Sequence, residues 1–214
     1  FTNNNATHGG AIEWRGHNGT LTGSIFIDNA VVGYGGIGGA VTWKGDNGII
    51  TKCNFTNNAA TFSGNGGAIY WNGENGRLID SNFIENSATN NGGAVYWNGP
   101  KGSLTNTNFS SNDATRGGAI YWAGADGTLT GSTFTNNAAT NIGGGVYWAS
   151  ADGTLIESIF KGNIAKTGNG GGAHWASFAA NGTIINSTFT DNTAAINGGG
   201  LSWGGANGTL TGSN

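Results

Sequence analysis

The stretch Gly66–Asn86 reads GGAIYWNGENGRLIDSNFIEN, and Gly92–Asn112 reads GGAVYWNGPKGSLTNTNFSSN. The second keeps the Trp, Leu, Phe and Asn of the first and rewrites the letters between. The frame runs along the whole chain. Tryptophan stands at Trp14, Trp43, Trp71, Trp97, Trp122, Trp148, Trp175 and Trp203, at spacings of 25 to 29 residues. Seven positions after Trp comes Leu21, Ile50, Leu78, Leu104, Leu129, Leu155 or Leu210, with Ile184 displaced by a two-residue insertion. Five positions further comes Phe26, Phe55, Phe83, Phe109, Phe134, Phe160 or Phe189, and Phe1 opens the chain. Three positions after each Phe comes Asn: Asn4, Asn29, Asn58, Asn86, Asn112, Asn137, Asn163 and Asn192.

The Trp-to-Asn part is nearly rigid, and the slack lies between Asn and the next Gly-Gly pair. A coiled coil cannot absorb such slack, because each insertion shifts its register. A stack of β-coils can, with loops bulging at one corner. Alternate residues of a strand face one side. Two before Trp the residue is always apolar, from Ile12 to Leu201, so this column and Trp face inward. The Leu and Phe columns face inward on a second and a third strand. Asn-Gly or Asp-Gly pairs, as at Asn75-Gly76, supply the positive φ of a tight corner. The reading is an all-β parallel β-helix of about seven to eight coils of 25–29 residues, with three short strands per coil. At ~4.8 Å per coil it is a rod of order 35 Å.

Stacked Asn side chains suit the bend after Phe, because an amide both donates and accepts. A small column, with Cys53 among Ser and Thr, lies three after Leu and reads as buried filler. One before Trp stand Tyr70, Tyr96, Tyr121, Tyr147 and then His174, in consecutive coils. Parity turns this column outward, which makes it a candidate binding stripe for sugars or an apolar partner.

Composition narrows the classes. The chain has 214 residues, 43 of them Gly, and only 9% are charged, against roughly 25% in an average domain. Eight Trp and ten Phe supply a core that a disordered chain lacks. A net charge of −3 argues against a nucleic-acid partner. No apolar run reaches the ~18 residues of a transmembrane segment. Cys53 is the sole cysteine, and no Cys or His cluster points to a metal or a cofactor. Residues 1–214 read as a single β-helix segment, cut within repeats at both ends and belonging to a longer protein.

The pairing of GGAI or GGAV with Phe-x-x-Asn, as in FTNN, FIEN, FSSN, FKGN and FTDN, resembles the repeats of chlamydial polymorphic outer membrane proteins. It is also similar to adhesin-like surface proteins of methanogenic archaea, which the invariant Trp favours. Three copies depart, reading GGGV, GGGA and GGGL. The resemblance implies a secreted, right-handed β-helix at the cell surface, used for attachment. It supplies no catalytic residue.

The expected function is therefore an extracellular adhesin-like rod, stalk or fibre, and not an enzyme. Its partners would be further coils, copies of itself end to end, glycans or another cell surface. A carbohydrate-active lyase or hydrolase would need carboxyls at ~5–9 Å, and Asp28, Glu85 and Asp191 share a column without adjacency. A structural filament subunit is a further alternative. Thr-Leu-Thr strands would suit an ice-binding face, but Ile49, Arg77, Ile79, Ile156 and Ile185 interrupt it. Sequons place candidate N-glycosylation at Asn5, Asn18, Asn54, Asn108, Asn181, Asn186 and Asn207.

Overall fold

The computed structural model describes residues 1–214. It contains strands of two to five residues and no helix. The strands stack into parallel sheets, each strand pairing only with its counterparts one coil before and one coil after. The Trp sheet runs from Ile12–Trp14 to Leu201–Trp203, and the Leu sheet from Thr20–Thr22 to Thr209–Thr211. The Phe sheet runs from Ile25–Ile27 to Thr188–Thr190. Like sits on like: Trp71 on Trp97, Leu78 on Leu104, Phe83 on Phe109. This is a parallel β-helix.

The expectation of three strands per coil is corrected to four. A fourth sheet of eight strands runs from Asn5–Ala6 to Thr193–Ala194. Its strands start directly after each ladder Asn, as at Ala30–Val31 and Ala59–Ala60. Most have two residues, too few to show alternation. The six inner ones still bury one side chain each, and Val31, Ala60, Ala88 and Ala114 form a small core of their own.

The main core is two aromatic stacks joined by the aliphatic columns. Neighbouring Trp rings lie 4.6–5.3 Å apart and neighbouring Phe rings 4.6–4.9 Å. Six Trp and six Phe are fully buried. Each stacked pair adds ~0.5–1.5 kcal/mol beyond the area it hides.

Four residues per coil take a left-handed backbone and make the four corners. In the quoted coil they are Gly66, Asn75, Asp80 and Glu85, at φ 67°, 54°, 49° and 55°. Asn and Asp tolerate this region through local hydrogen bonds. Gly76 follows the second corner for a different reason: a Cβ there would overlap the Trp71 indole. Gly67 follows the first corner, and its Cβ would overlap the carbonyl of Gly93 in the next coil.

Two buried polar ladders brace the bends. The Oδ1 of Asn86 accepts from the backbone N–H and the Nδ2 of Asn58, at 3.0 and 2.9 Å. The Nδ2 of Asn86 donates to Asn112 Oδ1 at 3.0 Å and to Phe55 O at 3.0 Å. The side-chain ladder continues from Asn4 to Asn192. The Ser column is a second ladder and more than filler. Backbone N–H groups of Cys53, Thr107, Ser132, Ser158 and Ser187 donate to the hydroxyl one coil on, at 3.0–3.2 Å.

Candidate functional site

The Tyr column is where the structure departs furthest from the parity reading. The residue one before Trp was expected to face solvent. Thr42 and Tyr147 are buried there, and Tyr70, Tyr96 and Tyr121 are half-buried. The cause is the left-handed Gly five before each Trp. It folds the preceding residue back toward the column: Thr42 Oγ1 donates to Ile37 O at 2.6 Å, and Arg116 lies 5.5 Å from the Tyr121 ring centre. Arg116 Nε is held in turn by Asn91 Oδ1 at 2.9 Å.

Within the column the rings stack on one another. Tyr70, Tyr96 and Tyr121 follow at 5.0 Å with their planes nearly parallel, and Tyr147 at 4.9 Å with a tilt of 38°. His174 continues the stack 5.4 Å beyond Tyr147. Neighbours therefore occupy the ring faces, so a sugar ring cannot lie on them. What the stripe offers outward is ring edges and a row of hydroxyls. Burial raises the pKa of Tyr70 and Tyr147 and pushes that of Tyr96 up to about 12. Burial lowers that of His174, whose Nδ1 is buried without a partner.

The acidic residues are mostly structural. Of eleven, seven occupy left-handed corners: Asp28, Asp80, Glu85, Asp126, Asp152, Glu157 and Asp191. The other four lie beside basic side chains at the surface. Glu13 forms ion pairs with Lys44 and Arg15, Glu74 with Lys101, and Asp113 with Lys166, while Asp46 donates its backbone N–H to His17 Nδ1 at 3.1 Å. The hydrogen bond from Lys44, then that from Arg15, lowers the pKa of Glu13. No three His, Cys, Asp or Glu side chains converge. Cys53 is fully buried, and desolvation raises the pKa of its thiol.

All seven sequon asparagines are exposed. Their amides differ. The Nδ2 groups of Asn108, Asn181 and Asn207 donate to Asn82, Asp152 and Asn181, at 2.9–3.2 Å. Those of Asn5, Asn18, Asn54 and Asn186 make no hydrogen bond within the chain.

Sequence reasoning missed one feature, the aromatic pair Tyr34 and Phe62. Both stand in the connections between Asn and Gly-Gly, outside every repeating column. They are 89% and 64% exposed. The signal available was length. Asn29 and Trp43 lie 14 positions apart, Asn58 and Trp71 lie 13 apart, and every other coil has 10 to 12.

The comparisons with known proteins agree with the architecture. The family model "Right handed beta helix region" matches residues 118–214. The "Chlamydia polymorphic membrane protein repeat" matches residues 52–70 and 80–96. Each repeat match spans one Phe-x-x-Asn and the following Gly-Gly-Ala-Ile-Tyr or Gly-Gly-Ala-Val-Tyr, which bears out the chlamydial resemblance. No curated protein matches the chain. The chain is a parallel β-helix that carries polymorphic membrane protein repeats, and such repeats point to a surface-associated or outer-membrane-associated protein.

Proposed function

We propose that the chain is a non-enzymatic rod segment of an extracellular surface protein, serving attachment to glycans or to another cell. The observation that carries the reading is the pair of surface-protein repeat matches, set in an unbroken ladder of eight asparagines. β-Helices also occur as enzymes. Here the acids make corners and ion pairs, which supports a scaffold over a lyase or hydrolase. A stack of near-identical coils holds its surface loops at fixed spacing, the condition for repeated weak contacts to act together.

The test has two arms. Antibody against the chain should label intact cells of the source, and external protease should remove the label. Beads coated with the chain should adhere to cells or immobilised glycans better than beads coated with an unrelated β-helix. Labelling only after lysis, or equal adhesion of both bead types, would overturn the reading.

A further inference from the structure

Beyond its ladders the molecule carries one exposed aromatic pair on built loops. Tyr34 lies in the segment Val32–Ile37 and Phe62 in Thr61–Asn65, on adjacent coils. The Gly35 N–H donates to Phe62 O at 2.8 Å and ties the two loops together. Thr61 Oγ1 donates to Val31 O at 2.9 Å. Asn90, one coil on, donates its backbone N–H to Gly64 O and its Nδ2 to Ser63 O, at 3.0 and 2.9 Å. The loops also pack closely, since a Cβ at Gly33 would press on Thr7, one at Gly36 on Val31 and one at Gly64 on Ala60. The aromatic side chains therefore project from a fixed frame.

Phe62 is held there against its own preference. Its φ is 52° and that of Ser63 is 66°, a region that bulky residues avoid. An apolar ring kept at 64% exposure on a strained backbone contributes little to folding. These two coils also have the longest connections in the chain, so the extra residues and the aromatics coincide.

The surroundings indicate the ligand. No Asp, Glu, Lys or Arg falls between Asp28 and Lys44 or between Lys52 and Glu74. The two loops thus bring no carboxylate, ammonium or guanidinium of their own to a charged ligand; His8 pairs with Ile37 at the end of the Tyr34 loop. A protein partner wants ~800 Å² per side with an apolar centre, and here the large exposed apolar side chains are three, Val32, Tyr34 and Phe62. Exposed aromatic rings flanked by Ser, Thr and Asn fit the face of a sugar ring, which is apolar C–H on its flat side and hydroxyl at its rim. A preorganised site loses little freedom on binding.

We propose that Tyr34 and Phe62 form a platform for the ring faces of an uncharged glycan. This rests on the attachment reading and names its site, which lies apart from the Tyr70–Tyr147 stack. The experiment is electrophoresis of the whole chain through gels cast with a panel of uncharged and anionic polysaccharides, followed by calorimetry on the one that retards it. At least one uncharged polysaccharide should slow the chain. Tyr34→Ala and Phe62→Gly should each weaken that binding at least about tenfold. Phe62→Gly should also raise the melting temperature, because Gly adopts φ near 52° without strain. Binding and stability then move in opposite directions, which a packing role would not produce.

The platform is overturned if no uncharged polysaccharide retards the chain. Retardation by anionic ones alone, wild-type binding by the Tyr34→Ala/Phe62→Gly double variant, or a lower melting temperature for Phe62→Gly would each do the same. If the double variant still mediates bead adhesion, the platform falls and the attachment reading stands. If glycan binding holds but antibody labels only lysed cells, the surface reading falls and the platform stands.

Discussion

Asn58 and Asn86 are joined twice: one oxygen, Asn86 Oδ1, accepts both the backbone N–H and the side-chain Nδ2 of Asn58. The same pair of hydrogen bonds recurs between Asn86 and Asn112 and between Asn112 and Asn137. Removing one amide therefore orphans groups on two neighbouring coils. Asn112→Ala should destabilise by about 1–3 kcal/mol for each buried group left unpaired. Thr130→Ala, on the outer face, should stay within about 0.5 kcal/mol. Denaturant melts of the two variants decide this, and equal small losses would show that the ladder adds nothing.

Gly73 and Gly76 stand on one turn after Trp71 and are closed to a side chain for different reasons. A Cβ on Gly76 would overlap the Trp71 indole, whereas one on Gly73 would overlap the Gly45 carbonyl of the preceding coil. Gly76→Ala should cost about 1–3 kcal/mol by overpacking and should disturb the Trp stack. Gly73→Ala should destabilise as well but leave the indoles in place. Thermal melts of both, with near-ultraviolet dichroism to follow the Trp stack, provide the check.

Glu157 makes a left-handed corner at φ 48°, where the equivalent residues in other coils include Gly23, Gly131 and Gly212. Its side chain is exposed and makes no hydrogen bond or ion pair. Glu157→Gly should stabilise by about 0.5–1 kcal/mol, since relief of the left-handed strain outweighs the greater entropy of Gly in the unfolded chain. A lower denaturation midpoint would show that the carboxylate has an unseen partner.

His174 gives the fold a pH dependence. Burial against Tyr147 holds its imidazole below the ordinary value of 6.5. The unfolded chain then binds the proton more readily than the folded one. Stability is complete above the unfolded pKa and declines as pH falls below it. His174→Tyr, the residue of the four preceding coils, should remove this decline. The melting temperature of wild type and variant, measured between about pH 7.5 and pH 5, should diverge toward acid. Parallel curves would exclude His174 as the source.

The sequence by itself determined the coil, its period, its inward Trp, Leu and Phe columns and its Asn ladder. In a solenoid each side chain meets its own counterpart one coil away, so a column that must stack on itself repeats in the text. The left-handed corner at Asn75 was legible too, because Asn-Gly records a local backbone need. What only the tertiary structure decided lies in the irregular part, between Asn and Gly-Gly. Two-residue strands such as Ala59–Ala60 are too short for alternation to appear. Parity assigned the Tyr column to solvent, but the left-handed Gly before it folds the chain back over its edge. Acids such as Glu85 and Glu157 carry no written sign of a corner, since their φ follows from strand geometry on either side. The pairing of Tyr34 with Phe62 depends on two unequal loops laid side by side by the stack. The coil repeat fixes where those loops begin and end, and the path between is set by packing against neighbouring coils.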